Sequence, residues 1–242
     1  MASIFAAEEG KVFRVYRAVL RYRSWVAGGV PKDPRAIEGW LKSKMGLKEA
    51  DELQQYTAEV LQAVAGQDAV EQFERVKEAT ALYAQEKHAQ GFKRDEEHGL
   101  YLESRHVKAT IKEAAAIVFA TERWRTYKTD KGTPKEVKSW VAERVFVRPE
   151  RIYLGRMEPD EQREIVGHPW DKFHKQRLSN LTLVDLCYRP RLEFTVHVID
   201  ELHELTEDRW ARLWIFAQEN GMGAMRSQDY DKFDIEEWER LS

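Results

Sequence analysis

The sequence predicts an α+β protein, because segments with the period of a strand and segments with the period of a helix occur in turn along the chain. From Leu192 to Val198, apolar and polar residues alternate as they do in a half-buried strand. Between Trp210 and Ala217 the apolar residues recur at helical spacing. Segment 11–23 is a further predicted strand, and segment 34–91 reads as helical.

The predicted N-terminal strand changes character along its length. Arg17, Arg21 and Arg23 have the same parity as Phe13, so one strand face changes from apolar to basic. One interpretation is an edge strand that uses charge against aggregation. The other is an open sheet surface at which arginines meet an anionic ligand.

Helix signals dominate the segment 34–91. Asp33 is suited to an N-cap and Pro34 to the first helical position, and Gly66 and Gly91 lie where helices are expected to end. The acidic, Ala-rich and Gln-rich character predicts a helical insertion. Its role is either packing as a scaffold or contact with a protein partner.

The C-terminal part predicts a strand, a helix and a final strand. Thr206 is the expected N-cap, with Glu207 and Asp208 in the first turn, where the helix dipole favours acids. Asn220-Gly221 is expected to end the helix. A short strand from Phe233 to Trp238 then follows.

A glycine-containing loop joins this helix to the last strand. Exposed backbone N–H groups between Gly221 and Gly223, followed by Arg226 and Ser227, form a candidate phosphate site. Alternatively, the glycines only allow a helix end and a tight turn. The acids of Asp229-Tyr230-Asp231 favour this second interpretation, because they would weaken contact with phosphate.

This strand–helix–glycine loop–strand succession resembles the RAMP superfamily, the RNA-recognition-type proteins of CRISPR complexes. The resemblance implies a ferredoxin-like (RRM-type) antiparallel sheet core, here residues 1–33 and 92–242, interrupted by the helical insertion 34–91. It also implies a loop that leans on RNA. Where the family usually has Gly-Tyr/Phe-Gly, this chain has Asp229-Tyr230-Asp231.

Two further segments predict contact with an anion. In the helix expected after residue 104, Arg105, Lys108 and Lys112 lie near the start, where cations oppose the helix dipole and an anionic ligand would relieve the cost. Solvated surface lysines are the alternative. Segment 122–140 interleaves aromatic and basic residues, a pattern typical of base stacking combined with phosphate contact.

The sequence between these segments indicates secondary structure less clearly. Residues 144–147, 152–154 and 181–187 read as short strands. The stretch 156–180 has no clean period and reads as a long polar loop.

Composition narrows the class of protein. The net charge is −3, which argues against a general polyanion binder, although basic residues concentrate in 11–44 and 105–151. A single cysteine, Cys187, excludes an internal disulfide and a cysteine-rich metal site. Because no long apolar run or secretory signal is found, we expect a cytoplasmic protein without membrane contact.

Known catalytic motifs are absent from the sequence, so we expect no cofactor, no bound metal and, on balance, no enzymatic activity. His168 and His174 with Asp171 would make only a weak metal site. Some RAMP proteins cleave RNA with a histidine as general acid or base. No motif selects among the candidates for that role, which are His106, His168, His174 and His197.

We therefore predict a non-catalytic subunit of RAMP type that binds single-stranded nucleic acid, RNA before DNA, in a CRISPR-like ribonucleoprotein. One alternative is a metal-independent RNA-processing endoribonuclease of the RAMP kind. Another is a phage assembly or inhibitor protein that acts through protein contacts. The predicted nucleic-acid-binding residues are Arg17, Arg21, Arg105, Lys108, Lys112, Trp124, Arg125, Tyr127, Lys128, Gly221, Gly223, Arg226 and Ser227.

Overall fold

A computed structural model describes residues 12–32, 88–122, 124, 133–167, 170–171, 176–177 and 180–241. These residues form an α+β structure with three α-helices and several sheets. The strands are β1 (Arg14–Tyr22), β2 (Trp25–Ala27), β3 (Val30–Pro31), β4 (His88–Gly91), β5 (Lys93–Asp95), β6 (Gly99–Glu103), β7 (Val145–Arg148), β8 (Arg151–Tyr153), β9 (Glu161–Gly167), β10 (Trp170–Asp171), β11 (Gln176–Arg177), β12 (Asn180–Tyr188), β13 (Arg191–Val198) and β14 (Phe233–Arg240). The helices are α1 (Ser104–Val118), α2 (Pro134–Arg144) and α3 (Glu207–Asn220).

The chain divides into two compact units. The first comprises 1–26, 102–154 and 189–242, and the second comprises 27–101 and 155–188. Most of the predicted insertion, residues 34–87, lies outside the described residues, so its helical character stays a prediction. The last residues of that segment form β4, a strand of the second unit.

A four-stranded sheet in the order β14-β1-β13-β7 is the centre of the first unit, and every neighbouring pair in it is antiparallel. The two central strands, β1 and β13, pair from Arg14↔Val198 to Arg21↔Arg191. Tyr16, Leu20 and Phe194 are buried on the side that faces the helices. The strands predicted at 11–23, around 192–198 and from 233 are thereby confirmed.

Helix α3 begins and ends as its local sequence predicts. The Thr206 side chain accepts a hydrogen bond from the Arg209 N–H, and Gly221 ends the helix with a φ of 78°. The buried stripe is Trp210, Leu213, Trp214 and Ala217, the residues that helical spacing selected.

Aromatic rings fill the space between α3 and the sheet. Tyr16 stacks on Trp238 with ring centroids 4.8 Å apart, and Trp210 lies 4.8 Å from Trp238. Trp214 contacts Phe233 at 6.4 Å. Three elements, β1, β14 and α3, thus share one aromatic core, which fixes which face of the sheet is covered.

The remaining two helices are α1 and α2. Helix α1 buries Val107, Ile111 and Ala114, as predicted. Helix α2 starts with a capping box in which Thr133 accepts from the Glu136 N–H and Glu136 accepts from the Thr133 N–H. Segment 122–140, read as a binding surface, therefore contains the first part of a helix.

In the second unit, β12 pairs with β9 on one side and, in parallel, with β4 on the other. The prediction of a long loop over 156–180 was wrong for Glu161–Gly167, which forms β9. This strand is polar, and its pairing with β12 is non-local, so sequence periodicity could not reveal it. The Asp185 carboxylate on β12 lies 2.5 Å from the Lys32 amine and accepts a hydrogen bond from Gln162.

The core assignment of α3 predicts unequal effects for two matched truncations. Leu213 is fully buried, whereas Ile215 on the same helix is 63% exposed. We expect Leu213→Ala to lower the free energy of unfolding by about 2–5 kcal/mol, because it leaves a cavity. Ile215→Ala, which opens none, should change it by at most about 0.5 kcal/mol. Urea unfolding followed by circular dichroism checks this, and equal midpoints for the two variants would contradict the assignment.

Candidate nucleic-acid interface

The sheet of the first unit has a second face, opposite the aromatic core. Because side chains alternate along a strand, the odd-numbered residues of β1 and β13 lie on this open face. The even-numbered residues of β7 join them, since His197 pairs with Phe146 and Thr195 with Arg148. The open face is therefore built from β1, β13 and β7, with β14 along one edge.

One end of the open face is aromatic. Phe13, just before β1, lies 5.8 Å from Phe146 and 5.8 Å from His197, centroid to centroid, and both pairs meet edge to face. Phe146 is 37% exposed, while His197 is buried. The exposed ring of Phe146 can stack with a planar group from solvent, and its contact with Phe13 holds it in place.

A hydrogen-bonded chain supports this cluster. The Thr195 hydroxyl lies 3.0 Å from His197 Nε2 and donates to the Arg148 carbonyl at 3.4 Å. Because the hydroxyl hydrogen is used in that bond, the hydroxyl oxygen can only accept, and it accepts from Nε2–H of His197. Thr195 thereby orients both the histidine ring and the backbone that carries Arg148.

Positive charge borders the same end. The Lys108 amine lies 4.9 Å from the centroid of the Phe146 ring and donates to the Ala142 carbonyl at 2.7 Å. Partial burial, and the nearby Lys112, lower the pKa of Lys108. Arg148 is exposed beside Phe146 on β7. The aromatic end of the open face consists of Phe13, Phe146, His197, Thr195, Lys108 and Arg148.

The rest of the open face carries ion pairs. Arg17 contacts Glu193 at 2.8 Å and Glu237 at 2.5 Å, and Arg21 contacts Glu236 at 2.5 Å. Arg191 reaches the same carboxylates at 3.3–3.5 Å. The ion-pair lattice consists of Arg17, Arg21, Arg191, Glu193, Glu236 and Glu237.

The ion pairs argue against the phosphate contact predicted for Arg17 and Arg21. Arg17 and Arg21 lie on an open sheet face, but carboxylates take their charge. The hydrogen bonds that Arg17 donates to Glu193 and Glu237 raise the pKa of Arg17. The bonds that Glu193 accepts from Arg17 and Glu236 accepts from Arg21 lower the pKa of these two carboxyl groups. Arg17 and Arg21 are therefore both paired with carboxylates, and a phosphate would have to displace a carboxylate.

The three basic residues near the start of α1 have different surroundings. Arg105 is paired with Glu103 at 2.6 Å, two residues earlier. Lys112 is half-buried on α1 and close enough to Lys108 to lower its pKa. Of the three predicted cations on α1, the structure brings Lys108 to the aromatic end.

Burial excludes Trp124 as a stacking residue. Its side chain is 1% exposed and packs 5.6 Å from Phe119 and 5.1 Å from Trp140. The Arg209 guanidinium lies 4.8 Å from the Trp124 ring. Trp124 is thus an anchor in the core, and no ring face is open to a base. Arg125, Tyr127 and Lys128, predicted with it, lie outside the described residues.

The glycine loop is organised around an internal carboxylate. Asp231 is fully buried; its Oδ2 accepts from the Met225 N–H at 2.7 Å, and its carbonyl accepts from the Met222 N–H at 2.9 Å. A Cβ at Gly223 would lie 2.3 Å from the Asp231 side chain, so glycine is required there. Gly221 is the left-handed end of α3.

Arg226 and Ser227, the expected phosphate contacts, belong to a short 3₁₀ helix. The Arg226 guanidinium is paired with Glu113 on α1 at 2.7 Å. Carboxylates of the chain therefore occupy the places expected for a phosphate: Asp231 of the loop accepts from a backbone N–H group, and Glu113 of α1 pairs with Arg226. The structure favours the turn over the phosphate site for Gly221, Gly223, Arg226 and Ser227.

Sequence reasoning missed Phe13, Phe146 and Arg148 as members of an interface. Phe146 lies in the alternating sequence Val145-Phe146-Val147-Arg148, where its parity with Arg148 indicates the polar side of a strand. An apolar ring on a polar strand face is the signal that could have revealed it. Its meeting with Phe13 and His197 depends on strand order, which the sequence does not show.

The described residues contain neither a cluster suited to a metal ion nor a helix suited to spanning a membrane. Among the described residues, no group of His, Cys, Asp and Glu could hold a metal ion. His168 and His174 fall outside those residues. In the part of the chain that the structure describes, no helix has the length and apolar character needed to cross a membrane.

The glycine loop predicts different effects for two neighbouring aspartates. Asp231 and Asp229 both have positive φ, which asparagine tolerates, so Asp→Asn at each site removes the charge without backbone strain. Asp231→Asn should cost about 1–3 kcal/mol of unfolding free energy, because a buried carboxylate loses its charge-assisted bond to Met225. Asp229→Asn should leave the urea midpoint unchanged, since Asp229 is exposed. A midpoint for Asp231→Asn equal to that of Asp229→Asn would show that the loop does not depend on the carboxylate.

No protein-family model and no curated protein matches the chain. Two solved structures to which it is similar are a chain of the Type III-B Cmr-beta complex bound to cognate target RNA and Cmr6 from Pyrococcus furiosus. For the first, the identity is 11% and the TM-score 0.45, and the match covers 98% of this chain but only 63% of the other. For the second, the identity is 11%, the TM-score 0.36, and coverage 92% and 98%.

Both of these structures are of proteins whose names begin with Cmr. Because both TM-scores lie below 0.5, the function of this chain has to follow from its own residues.

Proposed function

We propose that this protein binds single-stranded RNA without cleaving it, through the aromatic end of the open sheet face. The observation that carries the proposal is the partly exposed Phe146 ring on a polar sheet face, with Phe13 edge to face against it and the Lys108 amine 4.9 Å from its centroid. His197, which pairs with Phe146 in the strand register, contacts Phe13 from the other side. Base stacking on an aromatic ring, with a cation for the phosphate, is the usual way in which proteins hold unpaired nucleotides.

The connectivity supports a ferredoxin-like core of RAMP type. Strand β1 is followed by helices α1 and α2, strands β7 and β13, helix α3 and strand β14, and the spatial order is β14-β1-β13-β7. With the strands counted along the chain, this order is fourth, first, third, second. We propose that the first unit is an RRM-type sheet whose uncovered face is the nucleic-acid interface.

Several features favour a single strand over a duplex. Stacking requires the flat face of a base, which is hidden within a double helix. Phe146 presents its ring on a sheet surface and not at the tip of an element that could enter a groove. The resemblance to RAMP proteins favours RNA over DNA, and it also suggests a place in a CRISPR-like ribonucleoprotein with protein partners.

The placement of His197 supports a binding role over catalysis. Its ring is 8% exposed, and Nε2 is engaged with Thr195 at 3.0 Å. A general acid or base has to reach the proton that it moves, within about 3 Å of the substrate atom. His197 therefore supports Phe13 and Thr195 in the cluster, while Phe146 offers the surface for the base.

Removing the exposed ring tests the interface. We expect Phe146→Ala to weaken binding of a fluorescently labelled 12-nucleotide oligouridine about 5- to 100-fold, the effect of losing one stacked base. Fluorescence anisotropy at low salt measures the affinity. Ile215→Ala, an exposed apolar truncation on α3, is the matched control and should bind like the parent. Failure of the parent protein to bind, or equal affinity for both variants, would refute the proposal.

Incubation with RNA distinguishes binding from cleavage. We expect 5′-labelled RNA to remain intact after long incubation with excess protein in EDTA, because the described histidine of the interface does not reach the surface. Denaturing gel electrophoresis gives the answer. RNA fragments that disappear with the variant His197→Ala would instead favour a metal-independent endoribonuclease.

A further inference from the structure

The ion-pair lattice fills the part of the open face that the aromatic end leaves free. Its guanidinium groups, on Arg17, Arg21 and Arg191, belong to the central strands β1 and β13. Two of its carboxylates, Glu236 and Glu237, come from the edge strand β14, and Glu193 comes from β13. A strand of RNA that continued along the sheet from Phe146 toward β14 would have to cross this lattice.

Charge balance makes the lattice a poor phosphate receptor. Three guanidinium groups face three carboxylates, and each arginine has at least one carboxylate within 3.3 Å. The carboxylate side chains are about one third to one half exposed, so an approaching phosphate would meet negative charge at the surface. Like charges at such distances repel, most strongly at low salt.

The aromatic end differs in this respect. The Lys108 amine contacts a backbone carbonyl and an aromatic ring, which carry no net charge, and the nearby Lys112 adds positive charge. A phosphate that approaches Lys108 displaces no carboxylate, whereas one that approaches Arg17 competes with both Glu193 and Glu237. The two parts of one sheet face thus have different affinities for the same ligand.

We propose that the ion-pair lattice limits the RNA contact of the sheet, so that the protein holds a short unpaired segment at the aromatic end. This inference rests on the proposed function and concerns the extent of the same interface. Strands β1, β13 and β7 span about 10 Å at the usual strand spacing. That width has room for about two or three bases at about 3.4 Å each. Glu193 and Glu237 are the residues that set the limit, because they hold Arg17.

Releasing Arg17 tests the inference through a gain of affinity. The double variant Glu193→Gln/Glu237→Gln keeps side-chain size and removes both charges. We expect it to bind the 12-nucleotide oligouridine about ten-fold more tightly at low salt, the effect of one new charge-assisted contact. The slope of log affinity against log salt concentration should steepen by about 0.7, as expected for one further phosphate on a single strand.

Two controls separate a local effect from a change in net charge. Glu201→Gln/Glu207→Gln removes two exposed carboxylates elsewhere in the first unit and should raise the affinity much less. Arg17→Gln alone should leave the affinity unchanged, but added to the Glu193→Gln/Glu237→Gln variant it should abolish the gain. That reversal assigns the gain to Arg17.

The outcomes distinguish the two proposals. If the parent protein binds RNA and the Glu193→Gln/Glu237→Gln variant binds no more tightly than the Glu201→Gln/Glu207→Gln control, the lattice inference is overturned and the proposed function stands. A loss of affinity with Arg17→Gln alone also overturns it, because Arg17 would then already contact RNA. If the parent protein binds no RNA, both proposals fail.

Discussion

The pairing of β1 on both sides is the constraint on which the first unit depends. As an inner strand, β1 pairs with β13 and β14, and its alternating side chains are divided between two environments. Tyr16 and Leu20 turn toward the helices, and Phe13 and Arg17 share the other face. A shift of one residue in this register would expose the aromatic core and bury the arginines. The covered face and the open face are therefore fixed together.

Local signals in the sequence were sufficient to predict helix α3. Its bounds follow from Thr206, the stripe from Trp210 to Ala217 and Gly221, without help from distant residues. The residues of the interface were harder to predict from the sequence. One of the two interpretations of the first strand put Arg17 on an open sheet face, where it lies, yet its partners Glu193 and Glu237 lie 176 and 220 residues away in sequence. A basic pattern shows where cations lie along a chain but not whether carboxylates from other strands neutralise them. Trp124 shows the same limit for aromatic residues.

The glycine loop shows how one local pattern supports two physical solutions. Closely spaced glycines and free backbone N–H groups create a demand for negative charge, which a phosphate or a carboxylate can meet. Here Asp231 meets it from within the chain, and the Asp231 side chain occupies the space that a Cβ at Gly223 would need. Glycine at this position is thus required by the fold itself. The acids that follow the loop, visible in the sequence, were the informative feature.

The ion-pair lattice in turn depends on an irregularity of β14. Consecutive residues of a regular strand point to opposite faces, so Glu236 and Glu237 could not both reach arginines on one face. The register between β1 and β14 shifts where Val19 pairs with Glu237 and Leu20 with Ile235, leaving Glu236 as an additional residue. This bulge lets Arg191 contact both carboxylates. A bulge on a charged edge strand also discourages pairing with another strand. The same extra residue therefore protects the edge of the sheet and completes the lattice on its open face.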